Sequence, residues 1–177
     1  MKKVYLAGPD VFFPQASEHF DKLEAACLKF GLQGVRPSDG DLSAHPAAFT
    51  SGAQAARGIY YANVALIRSC DAVLANLQPF RNDFEPDSGT AFEVGFASAL
   101  GLPVVSLVPS LRPVEERVIQ SCGLSYRTAQ GAGYDARFGM LIEEFGQPLN
   151  LMLSCSTAVY DKLEDALAHL ARTLASS

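Results

Sequence analysis

Three short apolar segments, each followed within two residues by a proline, constrain the fold of this chain more than any other feature. They are KVYLAG at 3–8, DAVLANL at 71–77 and LPVVSLV at 102–108, and a weaker one, LQGVRP, occupies 32–37. Apolar runs of this length predict strands, and near-continuous ones are typical of a parallel sheet that is covered on both faces. The sequence therefore predicts four strands of a buried parallel sheet.

Segments with the helical spacing of apolar residues alternate with these strands. The third of the four helices is predicted over 90–100. The apolar residues of the other three are, in chain order, Phe20, Leu23, Cys27 and Phe30; Tyr60, Val64 and Ile67; and Leu163, Leu167, Leu170 and Leu174. Gly31 and Gly101 are expected to end the first and third helices. Strands that alternate with helices form βαβ units, so we expect the α/β class, a three-layer α/β/α sandwich with a mostly parallel, flavodoxin/Rossmann-like central sheet. The length of 177 residues suits a single domain over 1–177.

Two segments are predicted to be irregular. The stretch 39–54 reads as a long connection between the second strand and the second helix, and loops of this length often cover active sites. The stretch 123–139 has the least regular pattern and is predicted to be a loop or a small excursion from the domain.

Composition excludes several classes of function. The formal charge is −5 and no run of Lys and Arg occurs, which argues against a nucleic-acid-binding surface and favours a small-molecule substrate. The four cysteines and three histidines are scattered without ligand spacing, so no metal site is expected, and the cysteines are predicted to be buried free thiols in a reducing cytoplasm. No apolar run has the roughly 18–20 residues of a membrane helix, and no signal peptide is recognisable, so we expect a cytoplasmic protein.

In an open α/β sheet, ligands bind beyond the carboxyl ends of the strands. Three segments lie there: AGPDVFFP, QPFRNDFEPDSGT and the residues after Val108. None contains the glycine pattern of a dinucleotide-binding loop, a phosphate-binding P-loop or a hydrolase nucleophile elbow. The chemistry must therefore come from other side chains in these segments.

The stretch EPDSGTAFEVG at 85–95 carries three acids, Glu85, Asp87 and Glu93, and no Lys or Arg. A purely structural role is available, because Thr90 and Glu93 fit a capping box and Asp87 fits a helix N-cap. A role in chemistry is equally open at this point.

The helical neighbours of Glu93 favour chemistry. The residues three, four and seven positions later are Phe96, Ala97 and Leu100, so Glu93 is expected to lie on the inward stripe of the helix. A desolvated glutamate at a helix start can act as a nucleophile toward an electrophilic carbon such as a sugar C1′, with Asp87 assisting the leaving group. Carboxyl groups about 5 Å apart suit double displacement, whereas a separation of about 6.5–9.5 Å suits direct attack by water. The sequence does not determine the distance between the carboxyl groups of Glu93 and Asp87, so both mechanisms stay open.

These residues carry a resemblance to a known family. The motifs YLAGPDVF, CDAVLANLQPFR, EPDSGTAFEVGFASAL and GQPLNLML resemble those of the nucleoside 2-deoxyribosyltransferases and occur in the same order. The forms AGPDVFFP and PFRNDFEPDSGTAFE are closer to the purine deoxyribosyltransferase-like branch than to the broad-specificity branch. The resemblance implies that Glu93 is the nucleophile that forms a covalent deoxyribosyl intermediate, that Asp87 protonates the departing base, and that Tyr5 orients Glu93. It implies no cofactor and no metal.

The resemblance also implies substrate-binding residues. Gly8 and Phe12 would line the base site, and Asn150 would complete the site of a neighbouring subunit, which implies a homo-oligomer. Asn63 stands where the broad-specificity branch has an aspartate, which affects base preference. Gly89 is assigned to substrate binding. The Ser88-Gly89-Thr90 helix start would also supply N–H donors to the phosphate of a nucleotide, which an N-glycosidase acting on nucleotides would need.

The implied activity is the transfer of 2-deoxyribose between nucleobases in nucleotide salvage. Two alternatives stay open. One is an N-glycosidase of the same fold, in which water resolves the intermediate. The other is a non-catalytic nucleotide-binding sensor, which would keep the site without needing Glu93.

Overall fold

The computed structural model describes residues 1–37 and 52–176. The strands are β1 (Lys2–Ala7), β2 (Leu32–Val35), β3 (Ala72–Asn76), β4 (Val104–Leu107), β5 (Leu124–Arg127), β6 (Gly133–Asp135) and β7 (Ala158–Tyr160). The helices are α1 (Ala16–Lys29), α2 (Gly52–Ser69), α3 (Ser88–Ala99), α4 (Val114–Cys122), α5 (Leu151–Ser156) and α6 (Leu163–Ala175). A short 3-10 turn, Pro9–Phe12, follows β1.

Five strands form one parallel sheet in the order β2-β1-β3-β4-β7. This is the flavodoxin-like order, in which the chain reverses its direction of travel across the sheet between β1 and β3. The predicted fold class and all four predicted sheet strands are confirmed. The fifth strand, β7, was missed because it has only three residues and no long apolar run.

Each face of the sheet carries its own apolar core. Residues of α1 and α6 pack on one face around Val4 and Leu6, and residues of α2 and α3 pack on the other around Tyr5 and Ala7. Alternate residues of β1 therefore enter opposite cores, as the pleat of a strand requires. The four predicted helices are confirmed, and Gly31 and Gly101 follow α1 and α3 with φ of 72°, which glycine adopts without strain.

The region between β4 and α5 is more ordered than the sequence indicated. Helix α4 is followed by an antiparallel hairpin of β5 and β6 that is separate from the main sheet, so for 123–139 the prediction of a small excursion is confirmed and that of a loop is wrong. Most of the predicted connection over 39–54 lies outside the described residues, while Gly52 already begins α2.

Three of the four cysteines are buried free thiols, and burial raises the pKa of Cys27 to about 11, with a further rise from Glu24. Cys155 is free but exposed, which corrects the prediction of its burial. Among the described residues, none of the helices has the length and apolar character needed to cross a membrane.

Candidate active site

Tyr5 and Glu93 meet at the switch point of the sheet. Tyr5 lies on β1 and is fully buried, and its hydroxyl donates a hydrogen bond of 2.6 Å to Oε1 of Glu93 on α3. A hydrogen bond to a charged acceptor is shorter and stronger than one between neutral groups, so it fixes the orientation of the carboxylate. The residue that the resemblance assigns to orienting Glu93 thus contacts it directly.

Asp87 is the N-cap of α3. Its Oδ2 accepts hydrogen bonds from the Thr90 backbone N–H at 2.8 Å and from the Thr90 hydroxyl at 3.0 Å. The cap prediction for Asp87 is confirmed, whereas a capping box that begins at Thr90 is wrong, because the helix begins two residues earlier. Glu93 therefore lies in the second turn of the helix and not at its start. Its side chain contacts Tyr5.

The expected inward stripe needs a similar correction. Thr90, Val94 and Ala97 are the buried residues of α3, while Glu93 is half-buried and Leu100 is exposed. Glu93 therefore lies at the edge of the buried stripe, where one side of the carboxylate can reach Tyr5 and the other a ligand.

A cleft of about 260 Å³ opens beside Glu93, and we call it the Glu93 cleft. Its lining includes Gly8, Phe12, Asn63, Asp87, Gly89 and Glu93. Six of the eight residues predicted for the site are thus brought together, and Tyr5 joins them through its hydrogen bond. They come from the turn after β1, from α2 and from the start of α3.

Asn150 lies elsewhere in the chain. It is exposed, caps α5 by accepting from the Met152 N–H at 2.9 Å, and donates to Oε2 of Glu143 at 2.9 Å. It lines a second cavity of about 350 Å³, the Asn150 cavity, and is absent from the lining of the Glu93 cleft. Within one chain, Asn150 and Glu93 therefore serve different concave sites.

The role of Glu85, which the sequence left open, is tied to this second cavity. Glu85 lines the Asn150 cavity rather than the Glu93 cleft. Loss of solvent around the carboxyl group raises the pKa of Glu85, and the nearby charge of Glu143 raises it further, while Arg117 has the opposite effect. Glu85 is thus separated from Asp87, although only Pro86 lies between them in the sequence.

Sequence reasoning missed two aromatic residues of the Glu93 cleft. Tyr60 and Phe92 line it, their rings lie 5.9 Å apart, and they are 47% and 49% exposed. Tyr60 was assigned only to an apolar helical stripe, and Phe92 had no assignment. The signal that could have identified Phe92 is its position directly before Glu93 on a helix whose start faces the cleft.

The ring of Phe12 contacts the side chains of Phe80 and Arg81. Its ring stacks on Phe80 at 5.5 Å, and the guanidinium of Arg81 lies over both rings at 5.3 Å and 4.6 Å. Phe12 is still 59% exposed and lines the Glu93 cleft. An exposed aromatic ring held in place beside a cleft is suited to stacking on a flat ligand.

The chain matches the family model for nucleoside 2-deoxyribosyltransferase over residues 4–152. A solved 2-desoxiribosyltransferase from Leishmania mexicana is 32% identical, covers 97% of this chain and 98% of its own, and superposes with a TM-score of 0.72.

A 2-deoxyribosyltransferase from Bacillus psychrosaccharolyticus, at 21% identity, shares the fold, with 92% of this chain and 88% of its own covered and a TM-score of 0.56. An uncharacterised protein of Schizosaccharomyces pombe is 38% identical over 115 residues, which are 65% of this chain. The match spans 54% of the length of that relative. The extent of the family match and of the Leishmania likeness shows that the chain belongs to the nucleoside 2-deoxyribosyltransferase family.

Proposed function

We propose that the protein transfers the 2-deoxyribosyl group of a 2′-deoxynucleoside to a free nucleobase by double displacement, with Glu93 as the nucleophile. The hydrogen bond from Tyr5 to Glu93 at the Glu93 cleft carries this proposal. It joins a buried strand residue to a carboxylate that also lines an open cleft, which is the arrangement needed for a positioned nucleophile.

The first displacement uses Glu93 and Asp87. A carboxylate oxygen of Glu93 forms a bond to C1′ while the N-glycosidic bond breaks, and the base leaves with the bonding electrons and a proton from Asp87. Both bonds from Thr90 go to Oδ2 of Asp87, so Oδ1 is the oxygen we assign to proton transfer. A 2-deoxy sugar lacks an electron-withdrawing 2′-hydroxyl, so its oxocarbenium-like transition state is reached without a metal or redox cofactor.

The second displacement reverses these steps with a different base. A ring nitrogen of the incoming base forms a bond to C1′, the ester bond to Glu93 breaks, and Asp87 takes up the proton that the base loses. Two inversions at C1′ leave the configuration retained. Phe12, Tyr60 and Phe92 offer flat apolar surfaces to either base, and Asn63 offers an amide that can donate and accept hydrogen bonds. An incoming base that fills this space excludes water, so transfer is favoured over hydrolysis.

We further propose that Asn150 completes the Glu93 cleft of a second copy of the chain. In support, Asn150 is exposed and lies apart from its own Glu93 cleft. Large exposed apolar side chains occur in the same part of the sequence, namely Phe138, Met140, Leu141, Phe145 and Met152. Where exposed apolar side chains form a contiguous patch, they are typical of an interface with another protein surface.

The decisive experiment supplies 2′-deoxyinosine and adenine to the purified protein and separates the products by chromatography. Deoxyadenosine and hypoxanthine are expected, together with a deoxyribosyl adduct on the peptide containing Glu93 in the quenched enzyme. Free deoxyribose as the main product despite excess adenine would favour the N-glycosidase. Binding of the nucleoside without turnover would favour a sensor, and both results contradict the proposed transfer.

The shared site has its own test. Glu93→Ala and Asn150→Ala chains are purified separately, mixed in equal amounts under conditions that allow subunit exchange, and assayed. In a dimer, half of the mixed assemblies are heterodimers and each has one intact site, so about a quarter of wild-type activity is expected. Activity of the mixture no greater than the mean of the two variants contradicts the shared site.

A further inference from the structure

A buried carboxylate next to the Glu93 cleft has no role in the proposed chemistry. Asp10 is 2% exposed, its side chain accepts hydrogen bonds from Nδ2 of Asn76 at 3.0 Å and 3.2 Å, and Nε2 of His19 lies 2.6 Å from its Oδ1. A buried carboxylate is stable only when its oxygens are paired in this way. Because burial of a carboxylate costs free energy, we asked what the contacts of Asp10 hold in place.

The three residues join three different segments. Asp10 lies in the turn after β1, Asn76 is the last residue of β3, and His19 is in the first turns of α1. Because β1 and β3 are neighbouring parallel strands, the contacts lie at the switch point of the sheet. They therefore determine where the turn after β1 sits relative to the end of β3.

The carboxylate also packs directly against Gly8. A Cβ atom added to Gly8 would lie 2.0 Å from Oδ2 of Asp10 and 2.9 Å from Cβ of Asn76, so a side chain at this position would displace Asp10. Gly8 lines the Glu93 cleft, whereas Asp10 lines a separate cavity of about 270 Å³ together with His19 and Asn76. Asp10 is therefore behind the cleft wall and does not belong to its surface.

Phe12 depends on the same turn. It is two residues beyond Asp10 within the Pro9–Phe12 turn, so the turn sets the position of its backbone, while its ring is held by contacts with Phe80 and Arg81. Anchoring of Asp10 therefore limits the positions that Phe12 can take at the cleft.

We propose that Asp10 is a positioning residue, which, through Asn76 and His19, holds the wall formed by Gly8 and Phe12 at the distance from Glu93 that the nucleobase requires. This rests on the proposed transferase function. Asp10 contacts no reacting atom, so its loss should weaken binding of the base more than it slows the chemical step.

Asp71 provides a matched control. It also joins β1 to β3, through bonds from the Lys3 backbone N–H at 2.8 Å and the Lys2 ammonium at 3.0 Å, but at the opposite edge of the sheet. A general weakening of the contact between β1 and β3 should appear in both variants, whereas an effect on the cleft wall should appear only in Asp10→Asn. Because Asp71 is more exposed than Asp10, thermal unfolding of each variant checks that it stays folded at the assay temperature.

The test measures base exchange and amide hydrogen exchange in both variants. We expect Asp10→Asn to raise KM for the acceptor base about tenfold with kcat changed less than about threefold, and to speed amide exchange over residues 8–13 about tenfold. Asp71→Asn should change neither. In the swap Asp10→Asn with Asn76→Asp, the amide at position 10 can donate to the carboxylate at position 76, so most of the wild-type KM should return.

Each contrary result has a distinct meaning. KM within twofold of wild type in Asp10→Asn, unchanged amide exchange over 8–13, or an equal rise of KM in Asp71→Asn overturns the positioning role. Absence of base exchange in the wild type instead overturns the proposed function, and in that case amide exchange over 8–13 alone decides whether Asp10 anchors the wall.

Discussion

The two edges of the parallel sheet use acidic residues in different ways. At the amino edge, Asp71 is partly exposed and bonds to the backbone and ammonium groups of Lys3 and Lys2. At the carboxyl edge, Glu93 bonds to a buried tyrosine and Asp87 to the start of a helix. Asp71 joins the ends of two strands, whereas Glu93 and Asp87 line an open cleft.

This difference follows from the geometry of the fold. In a parallel α/β sheet the helices that follow the strands begin at the carboxyl edge, so their free N–H groups and partial positive charge lie there. Acids at that edge can be held by a helix start or by a hydroxyl group, as Asp87 and Glu93 are. The start of α3 at this edge therefore accounts for the two acids that line the cleft.

The strongest test of the comparison is the loss of Glu93. We expect Glu93→Ala to reduce base exchange about a thousandfold or more, because the proposed nucleophile is removed, and to leave the fold intact. Exchange is followed by chromatography, and folding by far-ultraviolet circular dichroism and thermal unfolding. Retained exchange in a folded variant would contradict the covalent route.

Asp87 tests whether capping and chemistry can be separated at the carboxyl edge. In Asp87→Asn the side-chain amide keeps an oxygen that can accept from the Thr90 N–H, so we expect stability near that of the wild type. The amide has no carboxylic proton to give to the base, so we expect base exchange to be about a hundredfold slower. Asp87→Ala should lose comparable activity and also about 1 kcal/mol of unfolding free energy in urea. Full activity of Asp87→Asn would show that capping is its only role.

The hydrogen bond from Tyr5 has a smaller expected effect. Tyr5→Phe retains the buried ring and removes the donor to Glu93, so we expect kcat to fall about tenfold, the equivalent of about 1.4 kcal/mol. Steady-state kinetics with the donor nucleoside and the acceptor base both at saturating concentrations measures kcat. An unchanged kcat would show that Glu93 is oriented without this bond.

The smallest effect is expected at the amino edge. The backbone N–H of Lys3, and then the Lys2 side chain, lower the pKa of Asp71 in the folded protein. A carboxyl group with a lowered folded pKa stabilises the fold above its unfolded pKa of about 3.9, and this stabilisation is lost as the pH falls through the lower folded value.

Asp71→Asn should therefore cost less than about 1 kcal/mol at pH 7, because the group is partly exposed to solvent. The difference from wild type should shrink as the pH falls below about 4. Urea unfolding of both proteins at a series of pH values measures this difference in unfolding free energy. A constant difference across that range would show that ionisation of Asp71 does not contribute.

The predictions from sequence were accurate where the apolar residues of a segment follow the period of a strand or a helix. The strands β1, β3 and β4 lie in apolar runs, and α6 shows its leucine stripe. The hairpin of β5 and β6 has no such pattern, because all four residues of β5 are exposed. Helix α4 was missed although Pro113, Glu115 and Glu116 form a recognisable helix start.

By itself, the sequence determined the alternation of strands and helices and placed Asp87 and Glu93 at the start of one helix, because both depend on local periodicity and capping. The tertiary structure alone decided which residues meet. Tyr5 bonds to Glu93 across 88 positions of sequence, and Asn76 bonds to Asp10 across 66. Such contacts depend on the order and register of parallel strands and on the face that each helix turns to the sheet, which are set by packing of the whole core. For the same reason only the fold could show that Asn150 lies apart from the Glu93 cleft of its own chain.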